Sequence, residues 1–230
     1  MENSSYVKRK FICSGVFFAL FLLLIAIVKT VDVAAIGPEG TSIGLSHLNG
    51  AIHNFFGINN LWKAISEAAL VLALCLVAEY AIIGLLEWIT RKSLAKVDNY
   101  LFCLGGLYVI LGILYVFFEK VIINYRPIIE EGAEHVEASF PSTHTMLIVT
   151  ILGSVIIINK RYGQISQRPR APWMNMLMQA FLALLIVLSV IGRLVCGVHW
   201  FTDILGGVLL STALIFVFAG CLDIFAPKEK

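Results

Sequence analysis

The sequence predicts an all-α, polytopic membrane protein built as a bundle of six transmembrane helices, and three observations carry that prediction. Of its 230 residues, 59% are hydrophobic and only 14% are charged, where a soluble domain carries about 25% charged residues. The apolar residues are gathered into six runs, each close to the twenty or so residues that cross a bilayer. The charges that remain fall mostly between those runs. The short connections predict one compact domain over residues 1–230, with every lipid-facing backbone group satisfied inside its own helix.

The first run, 11–35, follows the basic start Lys8-Arg9-Lys10. Its length favours a retained spanning helix over a signal peptide, since no small-residue cleavage site follows. Lys29 and Asp32, three apart, are expected to pair near its far end. Residues 36–62 hold Gly37-Pro38-Glu39-Gly40 and a mildly amphipathic stretch through His47, His53 and Trp62, read as a loop with an interfacial helix. The second run, 64–89, carries Glu79 near its middle, read as a hydrogen-bonded structural carboxylate. Runs at 99–118, from Ser142 to Ile158, at 174–192 and at 203–225 complete the six. Basic loops follow the second and fourth runs. The loop 119–141 is acidic, with Glu130, Glu131, Glu134 and Glu137 around His135, and is read as solvated in preference to a divalent-cation site. The five cysteines lie in or beside apolar runs without a Cys-x-x-Cys pair and read as small buried hydrophobes, with no disulfide framework or metal site implied. A net charge of +2 gives no reason to expect a nucleic-acid partner.

Two clusters carry chemistry. In the stretch from Gly192 to Asp203, a guanidinium, an imidazole and a carboxylate occur in order as Arg193, His199 and Asp203. Placed four apart on a helix, His199 and Asp203 would share a face, letting the carboxylate hold one ring nitrogen. Arg193 offers a fork of donors suited to phosphate. Upstream lie Lys120, Arg126-Pro127 and Pro141-Ser142-Thr143-His144. Ser142 is placed to cap a helix whose first-turn N–H groups form an anion site beside His144. Alternating spans bring Arg126, His144, Arg193 and His199 to one membrane level. Convergent cations at a helix N-terminus bind phosphate, and two flanking histidines point to covalent catalysis. His199, oriented by Asp203, would attack phosphorus while His144 protonates the leaving oxygen.

These residues resemble the three motifs of the type 2 phosphatidic acid phosphatase superfamily: Lys-x6-Arg-Pro, Pro-Ser-Gly-His and Ser-Arg-x5-His-x3-Asp. The third motif matches in spacing from Arg193 through His199 to Asp203, with Gly192 in place of serine. The second has Thr143 in place of glycine. The first, Lys120 to Arg126-Pro127, is one residue short. The motif region covers 120–203. The resemblance implies a vanadium-haloperoxidase-like helical core and a lipid phosphate substrate, either a monoester or a diphosphate. Phosphatidate, phosphatidylglycerol phosphate and polyprenyl diphosphate all fit. It also implies hydrolysis with no metal and no cofactor, with phosphate held by Arg126, Arg193, Lys120, Ser142 and Thr143. A transferase using the same site, or a non-enzymatic lipid-phosphate binder or transporter, is the alternative.

Charge counting orients the chain. With the N-terminus in the cytoplasm, 12 of the 17 Lys and Arg residues lie inside. The positive-inside rule thus predicts both termini cytoplasmic and the motif cluster on the extracytoplasmic side of a cell membrane.

Overall fold

The computed structural model describes residues 2–130, 132–162 and 171–225. The expectations for Glu131, for the loop over 163–170 and for Lys228 and Lys230 lie outside that range. The described residues form seven helices: α1 (Glu2–Thr30), α2 (Ser46–Phe56), α3 (Asn60–Arg91), α4 (Asn99–Lys120), α5 (Thr143–Tyr162), α6 (Pro172–Val195) and α7 (Phe201–Phe225). All but α2 are long and apolar enough to cross a membrane, which gives the expected six spans.

The helices run past their apolar stretches where polar residues find partners. The basic residues before the first run continue α1, since Lys and Arg are good helix formers. Lys10 Nζ reaches Asp223 on α7 at 2.5 Å, and Arg161 Nη1 on α5 reaches the other oxygen of that carboxylate at 2.5 Å. One carboxylate thereby ties three helices together. The Asn59 side chain caps α3, accepting from the N–H groups of Leu61 and Trp62. Pro172 opens α6, at a position where a missing N–H costs nothing.

The central element is α5. In its most apolar window 61% of residues are buried, against 11–33% in the other spans. It packs against α3, α4, α6 and α7, while α1 lies along α7. The core runs through Met146, Ile148, Ile151, Leu152 and Val155 of α5 to Phe21, Leu111, Leu182 and Leu210 on its neighbours. In lipid the contacts that specify such packing are close approach and side-chain hydrogen bonds, each contributing about 0.6 kcal/mol on average. Here Ser211 Oγ donates to the Met146 carbonyl at 3.1 Å, and Ser14 Oγ to the Ala213 carbonyl at 2.9 Å.

Four expectations change. Asp32 does not pair with Lys29. It accepts the Ser46 hydroxyl and the His47 backbone N–H, and its carboxylate contacts the His47 ring, while Lys29 donates to the Ile122 carbonyl. The His47 backbone bond, then its ring, hold the Asp32 carboxyl below its ordinary value. Glu79 is exposed on the outer face of α3 and makes no hydrogen bond among the described residues, so it is not the internally bonded carboxylate expected. Of the cysteines, all free, only Cys196 is buried, and Cys75 is exposed. The acidic loop is not simply solvated, because two of its carboxylates pair with Arg126, as described next.

Candidate active site

The ends of α3, α4, α5, α6 and α7 that meet at one face of the bundle carry nearly all the singled-out residues. Residues 124–126 and 137–139 run antiparallel. Ser139 N donates to the Asn124 carbonyl at 2.9 Å and Arg126 N to the Glu137 carbonyl at 3.0 Å, with Tyr125 bridged to Ala138. This pairing folds Arg126 back toward the start of α5. There Ser142, fully buried, accepts the Thr145 N–H at 3.4 Å and the Thr145 hydroxyl at 3.1 Å, a loose version of the expected cap. Ser142 N in turn donates to the backbone carbonyl of Asp203 at 2.9 Å, locking α5 to α7. Thr143 is buried beside it. The Nδ1 of His144, in the first turn of α5, is buried without a hydrogen-bond partner among the described residues.

His199 and Asp203 meet, but not as two residues on one helix. His199 precedes α7, in the turn closed by Gly197, whose φ is +74°. A Cβ at Gly197 would stand 2.3 Å from the Gly57 carbonyl oxygen, so no larger residue fits. Asp203, in the first turn of α7, reaches back to accept the Trp200 N–H at 2.9 Å, as an acidic residue does in a capping box. The same oxygen lies 3.6 Å from His199 Nδ1, close enough for an ion pair and too long for a hydrogen bond. Asn124 and Ser139 flank the carboxylate. His199 is 3% exposed, and both ring nitrogens lack hydrogen-bond partners among the described residues. Burial, then Arg193 and Arg126, push its imidazole well below the ordinary value, so the ring is neutral near pH 7 with a lone pair available.

Arg193, in the last turn of α6, is 1% exposed. Its Nη1 donates to Ser66 Oγ on α3 at 3.5 Å, and it makes no ion pair among the described residues. Arg126 is ion-paired on two sides, through Nη1 to Glu130 and through Nε to Glu137 at 3.2 Å. Lys63 Nζ, from the first turn of α3, holds the other oxygen of Glu130 at 3.1 Å. Burial raises the Glu130 carboxyl, but Arg126, Lys63 and Arg193 outweigh it and keep the group below its ordinary value. Among the described residues no three His, Cys, Asp or Glu side chains gather as a metal-ligand set.

Arg126, His144, Arg193, His199 and Asp203 are thus brought together. Lys120 is not among them: it is exposed at the end of α4 with no hydrogen bond or ion pair among the described residues. Lys63, Ser66, Asn49 and Glu130 belong to the site or its frame and were not singled out from the sequence for that purpose. The available signal was the polar pair Lys63 and Ser66, three apart at the start of a mostly apolar helix on the motif side. Asn49 is fully buried and docks α2 onto α7, donating to Thr202 Oγ1 at 3.0 Å while its oxygen accepts the Thr202 N–H at 3.2 Å. The expected surface helix therefore buttresses the His199–Asp203 turn, and the His53 ring adds a contact to the Gly197 carbonyl at 3.1 Å.

No significant match to the sequence was found among curated proteins. The fold resembles the crystal structure of the first transmembrane PAP2 type phosphatidylglycerolphosphate phosphatase from Bacillus subtilis. The TM-score is 0.58 at 22% identity, over 90% of this chain and 94% of that one, a likeness of fold. The family model of the PAP2 superfamily matches residues 99–224, more than half of the sequence and the whole of the motif region. With its motifs gathered at one end of a six-span bundle, the chain belongs to the PAP2 superfamily.

Proposed function

We propose that the protein is an integral membrane phosphatase that hydrolyses a lipid phosphate monoester or diphosphate through a phosphohistidine. The observation that carries this reading is a buried Arg193 without an ionic partner among the described residues, beside a neutral, unbonded His199. A buried guanidinium lacking a counter-anion is costly unless a ligand supplies one, and a phosphate does so with geometry matched to the fork.

In the proposed cycle, Arg193 and Arg126 hold the phosphate oxygens while Ser142 and the Thr143 backbone N–H approach from the start of α5. His199 Nε2 attacks phosphorus as the bond to the leaving oxygen breaks, and His144, which takes up a proton when the negative charge of the bound phosphate is placed beside it, gives that proton to the leaving oxygen. Asp203 stabilises the imidazolium that results, its contact with Nδ1 tightening from 3.6 Å as charge develops. His144, now neutral, takes a proton from water, whose oxygen attacks phosphorus, and the P–N bond breaks to release phosphate and restore His199. Phosphatidate, phosphatidylglycerol phosphate and polyprenyl diphosphate remain the candidate substrates. Family membership supports the reaction class, and the positive-inside count supports a site opening to the outer leaflet.

The test is phosphate release by the purified protein across those three lipids, with and without excess chelator. Release from at least one, undiminished by chelator, is expected, because arginines and a helix N-terminus supply the positive charge. Release from none would overturn the reading. Loss on chelation with recovery in Mg²⁺ would overturn its metal independence.

A further inference from the structure

The helix α3 lies outside the region matched by the family model, 99–224, yet its first two turns reach the site. Lys63 Nζ and Arg126 Nη1 grip opposite oxygens of the Glu130 carboxylate. One turn further along, Ser66 is fully buried, with its hydroxyl 3.5 Å from Arg193 Nη1. These two residues stand where the motifs depart from the family pattern. The first motif is a residue short, and its lysine, Lys120, is exposed and unbonded among the described residues. The third motif has Gly192 where a serine is expected. A Cβ at Gly192 would come within 3.2 Å of the Trp62 ring and 3.3 Å of the Trp62 carbonyl oxygen, because α3 packs closely there. The close approach that disfavours a side chain at 192 is what delivers the Ser66 hydroxyl to Arg193.

We propose that Lys63 is the third phosphate-binding cation of this site, in place of Lys120, with Ser66 steadying Arg193, and that Glu130 is the resident anion that substrate phosphate displaces. This rests on the phosphatase reading. A carboxylate clasped between an ammonium and a guanidinium has the charge and span of two phosphate oxygens. It keeps Lys63 and Arg126 extended toward the site until phosphate competes for them. An acidic residue in that place also biases the site against weak anions.

The test uses the full-length protein in detergent micelles, with orthovanadate as the probe. Half-saturation is read from the rise in melting temperature, and turnover is read on the best lipid from the panel above. Lys63→Met is expected to weaken vanadate binding and raise KM about tenfold or more, the cost of a lost charged hydrogen bond, and Lys63→Arg to recover most of it. Glu130→Gln is expected to move the other way, tightening vanadate binding. Unchanged vanadate affinity in Lys63→Met, or a larger loss in Lys120→Ala, overturns the assignment while leaving the phosphatase reading intact. Equal weakening by Lys63→Met and Glu130→Gln identifies a structural ion pair and also overturns it. A wild-type protein that neither binds vanadate nor releases phosphate from any lipid sinks both readings together.

Discussion

Arg193 and His199 bear opposite kinds of unfinished chemistry. One is a buried charge without a counter-ion among the described residues, and the other is a buried neutral base whose free lone pair has no partner among them. Pairing them across a phosphate resolves both. Replacing His199 with alanine should abolish turnover, and His144→Ala should do so or nearly so. Asp203→Asn should keep the fold and lower kcat by roughly a thousandfold or more, as loss of an orienting carboxylate does in a triad. Lys120→Ala should be milder than Arg126→Ala. Steady-state phosphate release on the purified variants checks all four. The neutrality of His199 also has a stability consequence. Its folded value lies well below the ordinary 6.5, so as pH falls through about 6.5 the unfolded chain takes up a proton that the folded chain does not. The stability linked to His199 is therefore full above about pH 6.5 and is lost below it. Melting temperatures from pH 7.5 to 5.5 should fall more steeply for wild type than for His199→Gln. Parallel slopes would contradict the burial argument.

Single elements explain which parts of the site could be read from the chain. Arg126, His144, Arg193, His199 and Asp203 were legible because their spacing is tied to helix ends, and apolar runs mark helix ends well. The geometry between His199 and Asp203 was not legible. Four-residue spacing suggested a shared helical face, whereas Gly197 turns the chain so that His199 sits ahead of α7. The role of α2 was hidden for a different reason. Amphipathicity locates a helix but does not say which polar side chain leaves solvent, and Asn49 is such a case. Its oxygen satisfies an N–H in the first turn of α7 that no carbonyl of that helix reaches. Asn49→Ala should cost about 1–3 kcal/mol, the penalty for leaving a buried polar group unpaired. It should also lower kcat by loosening the turn that carries Asp203. A melting curve and a rate measurement on this variant suffice. A variant with normal stability and rate would mean that α2 is only a surface helix.

At the scale of the whole molecule, composition was enough for the six spans, and the even count puts both described ends of the bundle on the side opposite the site. Which side faces the cytoplasm rests on the basic residues, and it can be tested directly. In a background lacking the five native cysteines, a cysteine at the exposed Glu134 position should react with an impermeant thiol reagent in intact cells. One at the exposed Ala95 position, in the loop between α3 and α4, should react only after lysis. The reverse pattern would turn the site to the cytoplasm. The phosphorylated histidine at the centre of the proposed chemistry has its own direct measurement. Purified protein is mixed with lipid substrate labelled in the scissile phosphate and quenched within a turnover. The account predicts label bound to the protein that is stable in base and lost in acid, present in wild type and absent from His199→Ala. Label that persists in His199→Ala, or a wild-type enzyme that releases phosphate without ever becoming labelled, would contradict it.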